Sequence, residues 1–217
     1  GSKMSIVALP SLYLVRQILA DWTKESLATG RELDWMVVCS ESTIGDSGDP
    51  AMRFQEIGVD VTTDVDRIAT FLRKRGKGHK VIFTTYQSGE VTAKAAHKAK
   101  RVFDVAIFDE AHRTVGQSDS MFAHLIDEKN IRIKKRVFMT ATERRYQGSS
   151  ETILSMDNVD AYGETFDLIA FKDALEQKKP ILCDYKIVTM IVGRSEVQQM
   201  IDDNFLVKPD KGKWDDD

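Results

Sequence analysis

Cysteine is scarce in this chain: only Cys39 and Cys183 occur among 217 residues, each in an apolar, strand-like run. Two such residues do not build a disulfide-stapled scaffold, and buried thiols are the expectation. No apolar run reaches about 18 residues, and the N-terminus lacks the charged-then-apolar pattern of an export signal. A cytoplasmic domain without a membrane partner is therefore expected. His79, His97, His112 and His124 share no Cys or His spacing, which leaves zinc unsupported. Gly-x-x-x-x-Gly-Lys-Ser/Thr is also missing. Gly1-Ser2-Lys3-Met4 and Gly76-Lys77-Gly78-His79 come nearest, and neither combines the leading glycine at the right spacing with the trailing hydroxyl. Neither internal repeats nor low-complexity segments occur.

What is present is apolar material, 42% of the chain, enough for one large core with a short extension. It is arranged as strand then helix, repeated. Ser5–Leu9 reads as a strand, and Ser11 can cap a helix carrying Leu12, Val15, Leu19 and Trp22 at helical spacing. Trp35–Cys39 is the next strand, and Glu41–Thr62, with three glycines and Pro50, a polar loop. Thr63 or Asp64 can cap a helix through Val65, Ile68, Phe71 and Leu72 that ends by Gly76. Val81–Thr85 (strand), Glu90–Lys100 (helix), Val105–Phe108 (strand), a helix near Ser120–Asp127 and an Arg136–Thr140 strand follow. Such alternation predicts a parallel sheet covered by helices. Beyond Thr142 the rhythm loosens, with a helix near Phe171–Gln177, a strand at Tyr185–Val192 and a helix over Glu196–Phe205. Trp22, Phe71 and Phe103 fall at core positions, where they would not serve as base-stacking platforms.

The net charge of −3 argues against a dedicated nucleic-acid module, yet its distribution argues the other way. Between Arg67 and Arg101 the only acid is Glu90, set against a run of basic residues that includes Arg73, Lys74, Arg75, Lys80 and Lys98. Two readings stay open: solvated helix faces, or a surface that tracks phosphates.

The most informative segment is Val102–Thr114, VFDVAIFDEAHRT. Its Val105–Phe108 run is apolar on both faces, as a buried parallel strand requires, and it delivers Asp109 and Glu110 to the carboxyl edge of the sheet, where α/β ligands bind. There the two carboxylates can divide the work: Asp109 can hold magnesium on nucleotide phosphates, and Glu110 can polarise the attacking water. The plainer alternative is that both are acids capping a helix N-terminus. Thr140 and Thr142, at the end of the VFMTAT run, could likewise do no more than satisfy strand-end backbone groups.

Asp109-Glu110-Ala111-His112 resembles motif II of the superfamily 2 DEAH-type helicases and translocases, and Thr140-Ala141-Thr142 their motif III, which links hydrolysis to movement. Upstream, Ala8–Leu12 is similar to motif Ia, while Val37–Ser40 and Thr84–Ser88 look like the next two nucleic-acid-facing motifs. Within that superfamily the wording is most similar to the helicase-like motor of restriction enzymes, type ISP above all, with type I and type III subunits next. Ala141–Tyr146 resembles their ATPRxY with Glu143 in place of Pro, and Met156–Val188 resembles the stretch leading into their second lobe.

This resemblance implies a RecA-like fold, a parallel sheet flanked by helices: motor lobe 1 over residues 1–150, truncated before its P-loop, then a segment over 151–217 leading toward lobe 2. It implies ATP and magnesium as cofactors, with Glu110, Asp109 and His112 catalytic and Asp109 on the metal through water. Thr140, Ala141 and Thr142 would couple; Pro10, Ser11, Ser40, Thr84, Thr85 and Tyr86 would face nucleic acid. Expected partners are DNA, the second lobe with its arginine finger, the P-loop segment, and nuclease and methyltransferase domains. Gly1-Ser2 reads as a tag remnant. Two functions follow: a piece of an ATP-dependent DNA translocase, inactive alone, or a degenerate lobe that binds nucleic acid or a partner without turnover.

Overall fold

A computed structural model describes residues 3–40, 60–117, 122–146 and 153–186. Six parallel strands form one sheet: β1 (Met4–Leu9), β2 (Leu33–Val38), β3 (Val61–Thr62), β4 (His79–Thr85), β5 (Phe103–Phe108) and β7 (Ile133–Phe138), in the order β3-β2-β4-β1-β5-β7. Gly116–Gln117 (β6) and Ile153–Leu154 (β8) pair antiparallel beside it. Crossovers between the parallel strands include α1 (Leu12–Thr29), α2 (Val65–Arg73) and α3 (Gly89–Ala99). This is the parallel sheet covered by helices that the alternation predicts, and the RecA-like α/β architecture that the resemblance implies.

Each helix begins where local chemistry dictates. Ser11 accepts from the Leu14 N–H and starts α1, and Asp64, not Thr63, accepts from Asp66 and Arg67 and starts α2. At the end of α1, Gly30 adopts φ +64° and donates to the Leu27 carbonyl, which lets the chain turn back into β2. In β1, Ile6 and Ala8 face the α2/α3 layer while Val7 and Leu9 face α1, and all four are buried. Such two-faced burial is what a central parallel strand demands. β5 departs from the expectation: Phe103, Ala106 and Phe108 are buried, whereas Val105 and Ile107 are only half-buried. Phe103 is core, with Phe71 and Trp22 packed against it or the opposite cluster.

Four local expectations need correction. The last strand runs Ile133–Phe138, not Arg136–Thr140, because pairing with β5 ends at Phe138 and Lys134 and Lys135 hide its start from an apolar reading. No helix forms over 122–127; Leu125 and Ile126 are buried in tight turns, with the Ile126 N–H bonded to the Ala123 carbonyl. α2 stops at Arg73, before Gly76. Cys39 is a buried thiol as expected, but Cys183 is exposed. Much of the 41–62 loop, most of the strand expected at Tyr185–Val192 and the helix at Glu196–Phe205 lie outside the described residues.

The chain divides into two compact units, residues 1–164 and 165–217. The first holds the sheet and α4 (Val159–Tyr162), capped by Asn158. The second contains α5 (Phe171–Glu176), whose end is folded back by the Ile181 N–H donating to the Ala174 carbonyl.

Asp104 fastens the amino edge of the sheet. Its carboxylate accepts from Lys134 Nζ at 2.7 Å and from the N–H groups of Lys3 at 2.9 Å and Met4 at 3.2 Å, joining β5, β7 and the start of β1. The Lys134 bond foremost, then the backbone donors, hold its pKa down at about 2. A depressed folded-state pKa stabilises the fold above the ordinary aspartate range, and that stabilisation is lost as pH falls toward 2. Asp104→Asn is expected to lower the unfolding free energy measured in urea at pH 7 by about 1 kcal/mol after allowance for solvent screening. The gap to wild type should close toward pH 2; a gap independent of pH would show that the charge contributes nothing.

Candidate functional site

Because all six sheet strands run the same way, the residues that end or follow β1, β2, β4, β5 and β7 emerge at one edge. Pro10 and Ser11, Ser40, Thr84 to Tyr86, Asp109 to His112 and Thr140 to Thr142 are all there. Five segments scattered over more than half of the sequence thus share the carboxyl edge.

Asp109 leaves β5 with its N–H on the Ala8 carbonyl, 3.0 Å away, so the acidic turn is continuous with the sheet. Asp109 Oδ1 accepts from the Glu110 N–H at 3.1 Å. Burial foremost, with the neighbouring Glu110 charge, raises the Asp109 pKa, although the Glu110 N–H bond works against the shift. Glu110 adopts φ +49°, in the left-handed region, and a 3₁₀ turn follows over Ala111–Thr114. Its side chain makes no capping bond, so helix capping does not explain this acid. The turn is pinned from the next strand: Met139 N–H donates to the Phe108 carbonyl and Ala111 N–H to the Met139 carbonyl, both at 2.9 Å.

His112 links the two segments. Its Nδ1 lies 2.9 Å from Thr140 Oγ1, 3.2 Å from Thr142 Oγ1 and 3.3 Å from Glu110 Oε2. Thr140 Oγ1 donates to the Thr142 carbonyl and accepts from the Thr142 N–H, so toward His112 it can only accept, from a proton on Nδ1. Ala141 is exposed between the two threonines. A carboxylate, an imidazole and two hydroxyls from separate strand ends therefore form one connected group.

The β4 end is organised differently. Thr84 and Thr85 are fully buried, Thr84 Oγ1 bonded to the Thr85 carbonyl and Thr92 Oγ1, and Thr85 Oγ1 to Ser88 Oγ. Their hydroxyls are directed inward, and Tyr86 is buried with them. Ser11 is committed to its cap, Pro10 is buried and Ser40 half-buried. Reading the sequence misses Thr114 and Tyr162: Thr114 Oγ1 donates to the Ala111 carbonyl at 2.7 Å and meets Tyr162 OH at 2.8 Å. A pairing 48 positions apart leaves no local signal.

The basic run resolves mostly into internal interactions. Lys80 is buried, donating to the Phe71 carbonyl at 2.9 Å over the Phe71 ring, and burial lowers its pKa. Arg67 pairs with Asp60, Lys94 with Glu90 and Lys98 with Asp66. Arg73 ends α2, and Lys74 and Arg75 lie between it and β4, which places all three at the amino edge, opposite the acidic turn. Replacing all three with Ala is therefore expected to leave the salt slope of DNA binding unchanged. Each phosphate that a basic side chain no longer neutralises would flatten that slope by about 0.9, so a change of roughly two or more would return the run to the DNA path.

Magnesium takes oxygen ligands and completes its shell with phosphates and water, so it needs one carboxylate more than a protein cage. The half-buried Asp109 carboxylate, destabilised as an anion by burial, suits it. Among the described residues no group of three or more His, Cys, Asp or Glu could hold a metal by itself, and no helix is long and apolar enough to cross a membrane.

The family described as "Type III restriction enzyme, res subunit" matches residues 15–145. Among solved structures the chain is similar to a nuclease-deletion mutant of the type ISP restriction-modification enzyme LlaGI in complex with a DNA substrate mimic, with 29% identity and a TM-score of 0.61 over 81% of this chain and 14% of that one. It is similar also to the ATP-dependent type ISP restriction-modification enzyme LlaBIII bound to DNA, with 27% identity and a TM-score of 0.62 over 79% of this chain and 12% of that one. The chain thus spans a small part of the length of either enzyme. No curated protein matches it by sequence. The sheet order, the acidic turn at its carboxyl edge and the family match over most of the sheet agree, and the chain belongs to the type III restriction enzyme res-subunit family.

Proposed function

We propose that the chain forms the DNA-facing, nucleotide-hydrolysing lobe of an ATP-dependent restriction-type motor. The observation that carries this reading is the connected group at the carboxyl edge, in which His112 Nδ1 joins Glu110 to both Thr140 and Thr142. Asp109, its carboxylate half-buried beside the turn, would hold magnesium through water. The chemistry that such an ion would supply there is neutralisation of the charge that develops in phosphoryl transfer. Glu110, 41% exposed, has room to orient a water and accept its proton. His112 transmits any displacement of that carboxylate to the Thr140–Thr142 segment, because hydrogen bonds of 2.9 and 3.2 Å break if the segment stays behind. DNA would run along the same edge, past Pro10, Ser11, Ser40 and the Thr84–Tyr86 turn. With the hydroxyls of Thr84 and Thr85 buried, phosphate recognition there falls to main-chain groups.

ATP turnover by the full-length protein with magnesium is the test. DNA should raise phosphate release, and the 217-residue chain by itself should release none above background, since it carries no Gly-Lys-Ser/Thr cradle. Turnover in the full-length protein that ignores DNA would remove the motor reading; turnover by the short chain would remove the need for the cradle.

A further inference from the structure

Tyr86 belongs to the turn that follows β4, yet its hydroxyl reaches the acidic turn that follows β5: Tyr86 OH donates to the Asp109 carbonyl at 2.6 Å. The side chain is 1% exposed, so it has no free face to offer a nucleic-acid base. Its ring stacks on Phe108 at 6.4 Å between centroids and meets Phe122 at 6.0 Å. Phe108 stacks on Phe138 at 4.8 Å, and Phe138 meets Tyr162 at 4.9 Å. A row of aromatic rings thus runs under the acidic turn, with a tyrosine hydroxyl at each end. One holds the carbonyl of Asp109; the other holds Thr114, at the far end of the 3₁₀ turn.

We infer that Tyr86 is a positioning residue that ties the Thr85–Gly89 turn to the Asp109–Glu110 turn, so that DNA on the first sets the placement of the carboxylates on the second. This rests on the motor reading above. A rigid ring spans the gap at little entropic cost, and a main-chain carbonyl is the right handle, because moving it rotates the peptide that carries the left-handed Glu110. Burial, foremost, with the Asp109 charge behind it, raises the phenol pKa and keeps the hydroxyl protonated as a donor.

Tyr86→Phe in the full-length protein removes the hydroxyl and keeps the rings. With saturating DNA, kcat should fall about tenfold while KM for ATP stays within twofold, and the ratio of DNA-stimulated to DNA-free turnover should drop toward one. A purely structural tyrosine would lower active protein, cutting both rates equally and leaving the ratio as in wild type, which would overturn the inference. Should the variant fail to fold, amide hydrogen exchange on the wild-type protein decides. DNA should alter protection of Thr85–Gly89 and Asp109–Thr114 together, and a change confined to the first segment would refute the link. If wild-type turnover ignores DNA, the motor reading itself fails and the coupling falls with it; if wild type responds and Tyr86→Phe responds equally, only the coupling falls.

Discussion

Glu110→Gln in the full-length protein is expected to leave nucleotide affinity within a few-fold of wild type and to reduce ATP hydrolysis by roughly 10²- to 10⁴-fold, the range a positioned general base contributes. Gln keeps the shape and loses the proton acceptor, so binding titrations with a fluorescent nucleotide and phosphate release should separate cleanly. Equal loss of both would make Glu110 structural. A second substitution at the same position tests the backbone. At φ +49° a side chain costs roughly 1–2 kcal/mol, and glycine costs about 1 kcal/mol through its entropy in the unfolded chain, so the two offset. Glu110→Gly should accordingly melt no lower than wild type while hydrolysing no better than the Gln variant. A marked fall in Tm would show that the left-handed turn is held by the Glu110 side chain. Strain kept at a position that glycine would tolerate is what a functional carboxylate there would explain.

The second large effect is expected from Thr140→Ala combined with Thr142→Ala. The pair supplies both hydroxyls that His112 Nδ1 meets, so their removal leaves Glu110 as the remaining member of that group. In the full-length protein, DNA translocated per ATP should fall about tenfold, with ATP hydrolysis lowered only a few-fold. His112→Ala should give the same pattern, and adding it to the threonine pair should cost little more, since residues that touch within one network are not additive. Parallel loss of hydrolysis and movement would assign these hydroxyls to folding. Full additivity with His112→Ala would show that the bonds to the imidazole carry no coupling.

Much of the sheet can be read in one dimension because its elements answer to local rules. Ser11 and Asp64 stand where a side-chain oxygen can take a free N–H, and Val7, Leu9, Val81 and Phe83 alternate with Ile6, Ala8 and Ile82 so that both faces are apolar. The acidic pair is legible for the same reason: a buried parallel strand has to deliver the residue after it to the carboxyl edge, whatever else surrounds it. Strand β7 escapes a local reading because Lys134 and Lys135 satisfy their polarity at the sheet's edge, where Lys134 meets Asp104 across from β5. Nothing within β7 announces that partner.

The sequence by itself determined the fold class, the starts of α1 and α2 and the identity of the chemical groups at the sheet's edge. Only tertiary structure decided which of those groups meet. His112 finds Thr140 and Thr142 through strand pairing that sets Phe108 against Phe138, and Tyr86 finds Asp109 because β1 alone separates β4 from β5. Tertiary structure also turned the Thr84 and Thr85 hydroxyls inward and carried Arg73–Arg75 to the opposite edge from the acidic turn. Periodicity and capping act over a few residues, so the sequence states them directly. Hydrogen bonds made 23 to 30 positions apart depend on sheet order and register, which follow from the packing of the whole core.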